Sequence, residues 1–219
     1  QFNNKKDFNT YPVNIKQDLS VLKRIRGIDF IFIPKFKDIY DTDKKSKIKI
    51  DINDKILCAK FRKGHFEGVL DVMDRLTNLI KPKKIFMGKK DFQQLFLVKN
   101  FIEKKYQTKV IGCKTIRDKN KLALSSRNIL FNKDNLETAR NISKSFFLIK
   151  KKIEKHKNIE KFLLETKKKM QKKFKIKIEY LELRNEKNLN VSKKFKGSKL
   201  FVAYYLKDII SPWKKEQNV

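Results

Sequence analysis

Three short clusters in this 219-residue chain combine cations, hydroxyls and turn residues in patterns that can bind anions. The first is Gly88-Lys89-Lys90-Asp91-Phe92-Gln93-Gln94, a glycine, two cations and a helix start following an apolar run. Backbone N–H groups and the positive end of a helix dipole favour negative charge at such a corner, and Lys90 adds a full charge for a phosphate. The bland account has Gly88 turn the chain and Asp91 with Gln94 form a capping box, and on this cluster alone the two weigh equally. The second is Leu122-Ala123-Leu124-Ser125-Ser126-Arg127-Asn128. Its two hydroxyls, their amides and the fork of Arg127 can wrap a triphosphate, although a serine-capped helix entry is the commoner meaning. The third, Phe61-Arg62-Lys63-Gly64-His65-Phe66-Glu67-Gly68-Val69, is a Gly/His turn running into a helix. A single histidine at a helix start reads as structural, satisfied by a local backbone bond.

The elements that position these clusters follow from periodicity. Residues 15–26 carry Ile15, Leu19, Leu22 and Ile25 on a helical stripe, and residues 28–34 read as a buried strand ended by Pro34. Residues 66–80 are helical and close at Lys81-Pro82; residues 84–87 read as a strand. Leu95, Val98, Phe101 and Ile102 form the core stripe of a helix opened by Asp91, and residues 109–113 are the next strand. Helices and strands alternating at this spacing imply parallel crossovers and a doubly wound sheet, in which ligands sit beyond the carboxyl ends of the strands. Beyond Asn128 the character changes to lysine-rich helical stretches over about 135–174, followed by two β-like runs, 176–183 and 199–206, expected to pair antiparallel. The domain boundary is placed near Thr115, giving units of 1–115 and 116–219.

The formal charge of +32 invites a nucleic-acid reading. Only 8 of the 56 basic residues are arginine, and the lysines spread over the whole chain, so a solvated basic surface explains the charge better than base or phosphate readout. A basic nucleic-acid binder remains the rival that charge alone supports. No apolar run approaches the roughly 18 to 20 residues of a membrane span, and nothing at the start reads as an export signal, so the cytoplasm is the default. Cys58 and Cys113 lack metal or redox spacing, and His65 and His156 are too few for a histidine-rich metal site.

Five matches in order lift these patterns above their separate weights: Gln1-Phe2, Asp7-Phe8 with Tyr11-Pro12, Gly64-His65-Phe66-Glu67-Gly68-Val69, Gly88 to Gln94, and Leu122 to Asn128. Together they resemble the pantothenate synthetases over nearly the whole chain. The resemblance implies a Rossmann-like α/β sheet, incomplete at its N-terminus, with a smaller α+β C-terminal lid. It implies an ATP- and Mg2+-dependent condensation of pantoate with β-alanine in a homodimeric enzyme. Gln1 and Gln94 would hold pantoate, with Tyr11 beside them and Gln1 also bordering β-alanine. Gly88, Lys89, Lys90, Asp91, Ile116, Leu124, Ser125, Ser126 and Arg127 would line ATP, with Lys90 and Arg127 the catalytic cations. Asp18 falls where the family has an acid near the magnesium-bound phosphates. The family usually has Glu where Lys89 stands and often a second acid at Gln17, which weakens the metal assignment.

The resemblance also implies a first strand and a His-x-Gly-His turn before Gln1, which this sequence does not contain. The chain is therefore expected to be either a fragment of a complete enzyme or a truncated relative that forms little pantothenate alone. A ligase-like fold for another carboxylate is a further alternative.

Overall fold

The computed structural model describes residues 8–9, 11–40, 48–206 and 214–218, the last as backbone only. Helix α1 (Ile15–Lys23) opens at Asn14, whose side chain accepts the Gln17 amide. Residues 28–34, expected as a buried strand, form no ladder among the described residues and are exposed, Phe30 at 94%. Strand propensity measures how well a run fits a pleated, half-buried surface, and no described strand lies beside this run to provide one.

Two short helices, α2 (Phe36–Ile39) and α3 (Leu57–Phe61), precede α4 (His65–Ile80). Gly64 caps α4 at φ +76, a left-handed conformation that would strain a side chain even though no atom lies within 4 Å of an added Cβ. Strand β1 (Lys84–Gly88), helix α5 (Phe92–Lys105) and strand β2 (Lys109–Cys113) form the expected parallel unit, with Lys84 opposite Lys109 and Gly88 opposite Cys113. Asp74 of α4 ties the far end of α5 down, accepting Lys105 Nζ at 2.8 Å and the Tyr106 hydroxyl at 2.7 Å.

The lysine-rich stretch forms two helices, α6 (Lys133–Ile153) and α7 (Ile159–Phe174), each capped by an asparagine, Asn132 and Asn158. Strands β3 (Lys177–Asn185) and β4 (Ser198–Tyr205) pair antiparallel, as their apolar runs predict. A third strand, β5 (Lys214–Asn218), adds to β4; Lys-Lys-Glu-Gln-Asn has neither alternation nor β-branched residues, so no sequence signal announced it.

The β3–β4 sheet is buried on both faces. Along β4, Phe201 and Ala203 pack with Phe92, Leu95, Val98 and the rest of the core around α4 and α5. Their neighbours Leu200, Val202 and Tyr204 pack with Ala139, Ile142 and Phe146 of α6. The pleat's period of two assigns these residues to alternate sides, which is why the run Leu-Phe-Val-Ala-Tyr is apolar throughout. In β3 the register shifts between Ile178 and Tyr180, and that irregularity lets Ile178 and Leu181, three residues apart, reach the same core. The sheet is thus a shared middle layer between the parallel unit and the α6–α7 pair.

Phe146 is fully buried, with its ring 6.4 Å from that of Tyr204. Phe146→Ala is expected to lower unfolding free energy by about 3–5 kcal/mol, read by urea denaturation. A loss below about 1 kcal/mol would contradict a well-packed interface between α6 and the sheet.

Candidate functional site

The corner between β1 and α5 is built by an alternation in which side chains turn inward and outward. Phe92 is 8% exposed and meets Phe201 edge to face at 5.8 Å. Gln93, at 4% exposure, has its whole amide satisfied: Oε1 accepts the Cys58 amide at 3.0 Å, and Nε2 donates to the carbonyls of Ile56 at 2.8 Å and Asp54 at 3.1 Å. These inward anchors leave Lys90, Asp91 and Gln94 partly accessible on the other side of the turn.

The expected capping box is absent. Asp91 occupies the N-cap position of α5 without a side-chain cap bond, and its carboxylate lies 3.5 Å from Lys90 Nζ. The Gln94 side chain forms no hydrogen bond among the described residues. Asp91 therefore does not cap the first-turn amides, and a 3-10 turn, Lys89–Asp91, leads directly into the helix. Lys89 takes a different course. Its stem lies across β2 at Gly112, where an added Cβ would come within 2.9 Å of Lys89 Cε and 2.8 Å of Leu95 Cδ2.

Strand β2 ends at Cys113, opposite Gly88, so the chain leading to the second cluster leaves the sheet at the same edge as the corner. Ile116 and Leu124 lie across from each other, joined by the Leu124 amide donating to the Ile116 carbonyl at 3.0 Å, and both are more than half exposed. Between them Asp118 organises a turn, Oδ1 accepting the amides of Asn120 and Leu122, each at 2.9 Å. Its Oδ2 accepts from Arg140 Nε of α6 at 2.9 Å. Burial alone would raise the Asp118 pKa, but the Arg140 bond and the two amides outweigh it and hold the carboxyl below its ordinary value.

Ser125 caps a 3-10 turn, Ser126–Leu130, by accepting the Arg127 amide at 3.3 Å, so the serine-capped entry is present here. The Ser125 hydroxyl proton and Ser126 are not consumed by that cap. Tyr11 comes to this loop from the start of the chain, its ring 4.6 Å from the Arg127 guanidinium and its Oη 3.4 Å from Ser126 Oγ. The structure therefore brings Tyr11 to a loop more than a hundred residues away in the sequence. Gln1 lies outside the described residues. Asp18 is exposed on α1, with no side-chain partner among the described residues.

His65 is buried as the first residue of α4, consistent with a structural role. Among the described residues no three His, Cys, Asp or Glu side chains gather as a metal cage. Sequence reasoning missed Lys199 of β4, whose ammonium lies 5.0 Å from the Phe92 ring and 3.6 Å from Glu186. Burial lowers its proton affinity, Glu186 offsets part of that, and Lys150 and Lys89 lower it further, leaving it below the ordinary lysine value. Nothing beside it in sequence marks it, because the corner it joins is assembled only when β4 packs on α5. Among the described residues, no helix is long and apolar enough to cross a membrane.

A parallel pair whose edge carries these two clusters, backed by a separate antiparallel sheet, has the Rossmann-like α/β architecture of nucleotidyltransferases. Solved pantothenate synthetases share that fold. The Thermus thermophilus structure superposes with a TM-score of 0.89 at 22% identity, covering 100% of this chain and 79% of its own. The Francisella tularensis ligase, complexed with beta-gamma ATP and beta-alanine, superposes with a TM-score of 0.78 at 29% identity, covering 100% and 74%. Among sequences, the Pseudothermotoga lettingae pantothenate synthetase is 31% identical over 205 residues, 93% of this chain and 72% of that protein. The Sulfurihydrogenibium enzyme is 35% identical over 152 residues, 69% of this chain and 54% of that protein. The pantoate-beta-alanine ligase family model matches residues 1–210, and the chain belongs to that family. It spans about half the length of most of the curated relatives it matches.

The geometry separates two adjacent glutamines. Gln93→Ala removes three buried hydrogen bonds and is expected to cost about 3 kcal/mol of stability. Gln94→Ala should stay within about 0.5 kcal/mol, since it removes no cap. Thermal or urea unfolding of both variants checks this, and a large loss for Gln94→Ala would restore the capping role.

Proposed function

We propose that the protein joins pantoate to β-alanine with cleavage of ATP to AMP and pyrophosphate, through a pantoyl-adenylate. The observation that carries this reading is the start of α5, where Asp91 makes no side-chain cap bond and Lys90, Asp91 and Gln94 are all partly accessible. Membership of the pantoate-beta-alanine ligase family supports it. So does the Francisella relative, whose complex with beta-gamma ATP and beta-alanine makes those two compounds the natural ligands to test here.

In this reading a pantoate carboxylate oxygen attacks the α-phosphorus, and the bond to the bridging oxygen breaks to release pyrophosphate. The β-alanine amine then attacks the acyl carbon, AMP leaves with the electrons of the C–O bond, and the nitrogen loses a proton. Gln94 offers both a donor and an acceptor to the hydroxy acid, and Tyr11 and Gln1 share the binding of pantoate in this reading. Gly88, Lys89, Lys90 and Asp91 line the phosphates from one segment, and Ser125, Ser126 and Arg127 from another. The exposed Ile116 and Leu124 supply an apolar surface for the base. Lys90 and Arg127 oppose the charge that grows as the α-phosphorus becomes five-coordinate. Magnesium bound with the nucleotide, near Asp18, would supply further neutralisation of the phosphates.

Residues 1–115 act in this scheme as the nucleotide and pantoate unit, and residues 116–219 as a lid that keeps water from the adenylate. The working form is a homodimer in the cytoplasm. Lys90→Ala and Arg127→Ala should each slow pantoate-dependent ATP–pyrophosphate exchange about a hundredfold or more. Aminolysis of supplied pantoyl-adenylate should suffer less, since that step expels no pyrophosphate. Near wild-type exchange in folded Lys90→Ala protein would remove Lys90 from the phosphate site.

A further inference from the structure

The segment 116–127 returns on itself, and its position rests on α6 at three places. Leu122 is 1% exposed and inserts into the core with Ala139, Ile142 and Phe146. The Arg117 guanidinium lies 5.1 Å from the Phe147 ring centroid while its Nη1 donates to the Lys121 carbonyl at 3.1 Å. Arg140 donates to Asp118 Oδ2, with Glu137 Oε2 3.8 Å from its Nη1 on the other side. Residues 140 and 147 are seven apart and share one face of α6.

These contacts differ in kind. Burial of Leu122 fixes where the segment sits, and any apolar side chain of that size would do the same. Asp118 fixes its shape: one carboxylate oxygen closes the turn by taking two amides, and the other is held by a charge on a different element. With Oδ2 pinned by Arg140, the carboxylate plane cannot rotate away from Asn120 and Leu122. The strand of the turn that follows, with Ala123 bridged to Arg117 and Leu124 bonded to Ile116, then runs directly into Ser125, Ser126 and Arg127.

We propose that Arg140 is a positioning residue: from α6, acting through Asp118, it holds the turn that aims Leu124, Ser125, Ser126 and Arg127 at the nucleotide. This rests on the reading of that loop as part of the ATP site and adds to it a specific link from the helical C-terminal unit. The side chain of Arg140 is about one third exposed and touches none of the candidate ligand-facing groups, so its effect on ATP passes entirely through the turn.

The test uses the full protein and two variants, Arg140→Met, which keeps the stem and removes the charge, and Asp118→Asn, which keeps an acceptor for the two amides and removes the ion pair. Amide hydrogen exchange at Asn120, Leu122 and Leu124 should quicken about tenfold in both, with α4 and α5 unchanged. The KM for ATP should rise about fivefold to tenfold while that for pantoate holds, Arg140→Lys should recover part of the loss, and the double variant should be little worse than either single one. Unchanged exchange over 118–124, or KM values for ATP and pantoate rising in equal proportion, would overturn the proposal. Should the wild-type protein bind no Mg-ATP, the functional reading of the loop fails by itself, and the claimed link to ATP fails with it.

Discussion

The candidate site depends on how the first turn of α5 is anchored. A helix start that offers amides and cations to an anion must be held rigidly from behind, because any group used to hold it from the front would compete with the ligand. Here two strong anchors lie at the back. Phe92 presses on Phe201 of the neighbouring sheet, and the amide of Gln93 closes three bonds to the segment around Cys58. On the accessible side of the same turn, the Lys90 ammonium lies 3.5 Å from the Asp91 carboxylate, and the Gln94 side chain makes no hydrogen bond among the described residues.

That arrangement makes the C-terminal sheet part of the site's support. Because β4 is buried on both sides, the face that carries Phe201 belongs to the core of α4 and α5, and the opposite face belongs to α6 and α7. The same helices hold the Ser-Ser-Arg loop through Leu122 and Asp118. Both clusters of ligand-facing residues are therefore referred to one intervening layer, which allows two segments more than thirty residues apart to keep a defined relation. Lys199, at the seam, brings a partly desolvated ammonium to the ring of Phe92 and so adds to the positive field of the corner.

Much of this was legible in the sequence. The helical stripe at Leu95, Val98 and Ile102 and the strands at 84–87 and 109–113 appear where periodicity places them, because each packs one face within a local β-α-β unit, while Phe86 and Ile111 on the other face of the strands are exposed. The run at 28–34 has the same composition as a buried strand and is exposed, since a strand is defined by a neighbour that sequence pattern cannot supply. Asp91 and Gln94 have capping-box spacing, yet the Asp91 carboxylate makes no cap bond and lies 3.5 Å from the Lys90 ammonium; a charge one residue away is invisible to a motif that counts residue types at fixed offsets. The placement of Tyr11 against Arg127 and of Arg140 against Asp118 depends on tertiary packing alone, and neither pair had a local signal.

The central claim is that the β1–α5 corner receives the phosphates of ATP while Gln94 receives pantoate. A crystal structure of the protein soaked with pantoate and a nonhydrolysable ATP analogue with magnesium tests it directly. The account predicts phosphate oxygens within hydrogen-bond distance of Lys90 and of the first amides of α5, and a pantoate hydroxyl or carboxylate on the Gln94 amide. Nucleotide bound elsewhere, with the α5 start unchanged and Gln94 solvated, would contradict it.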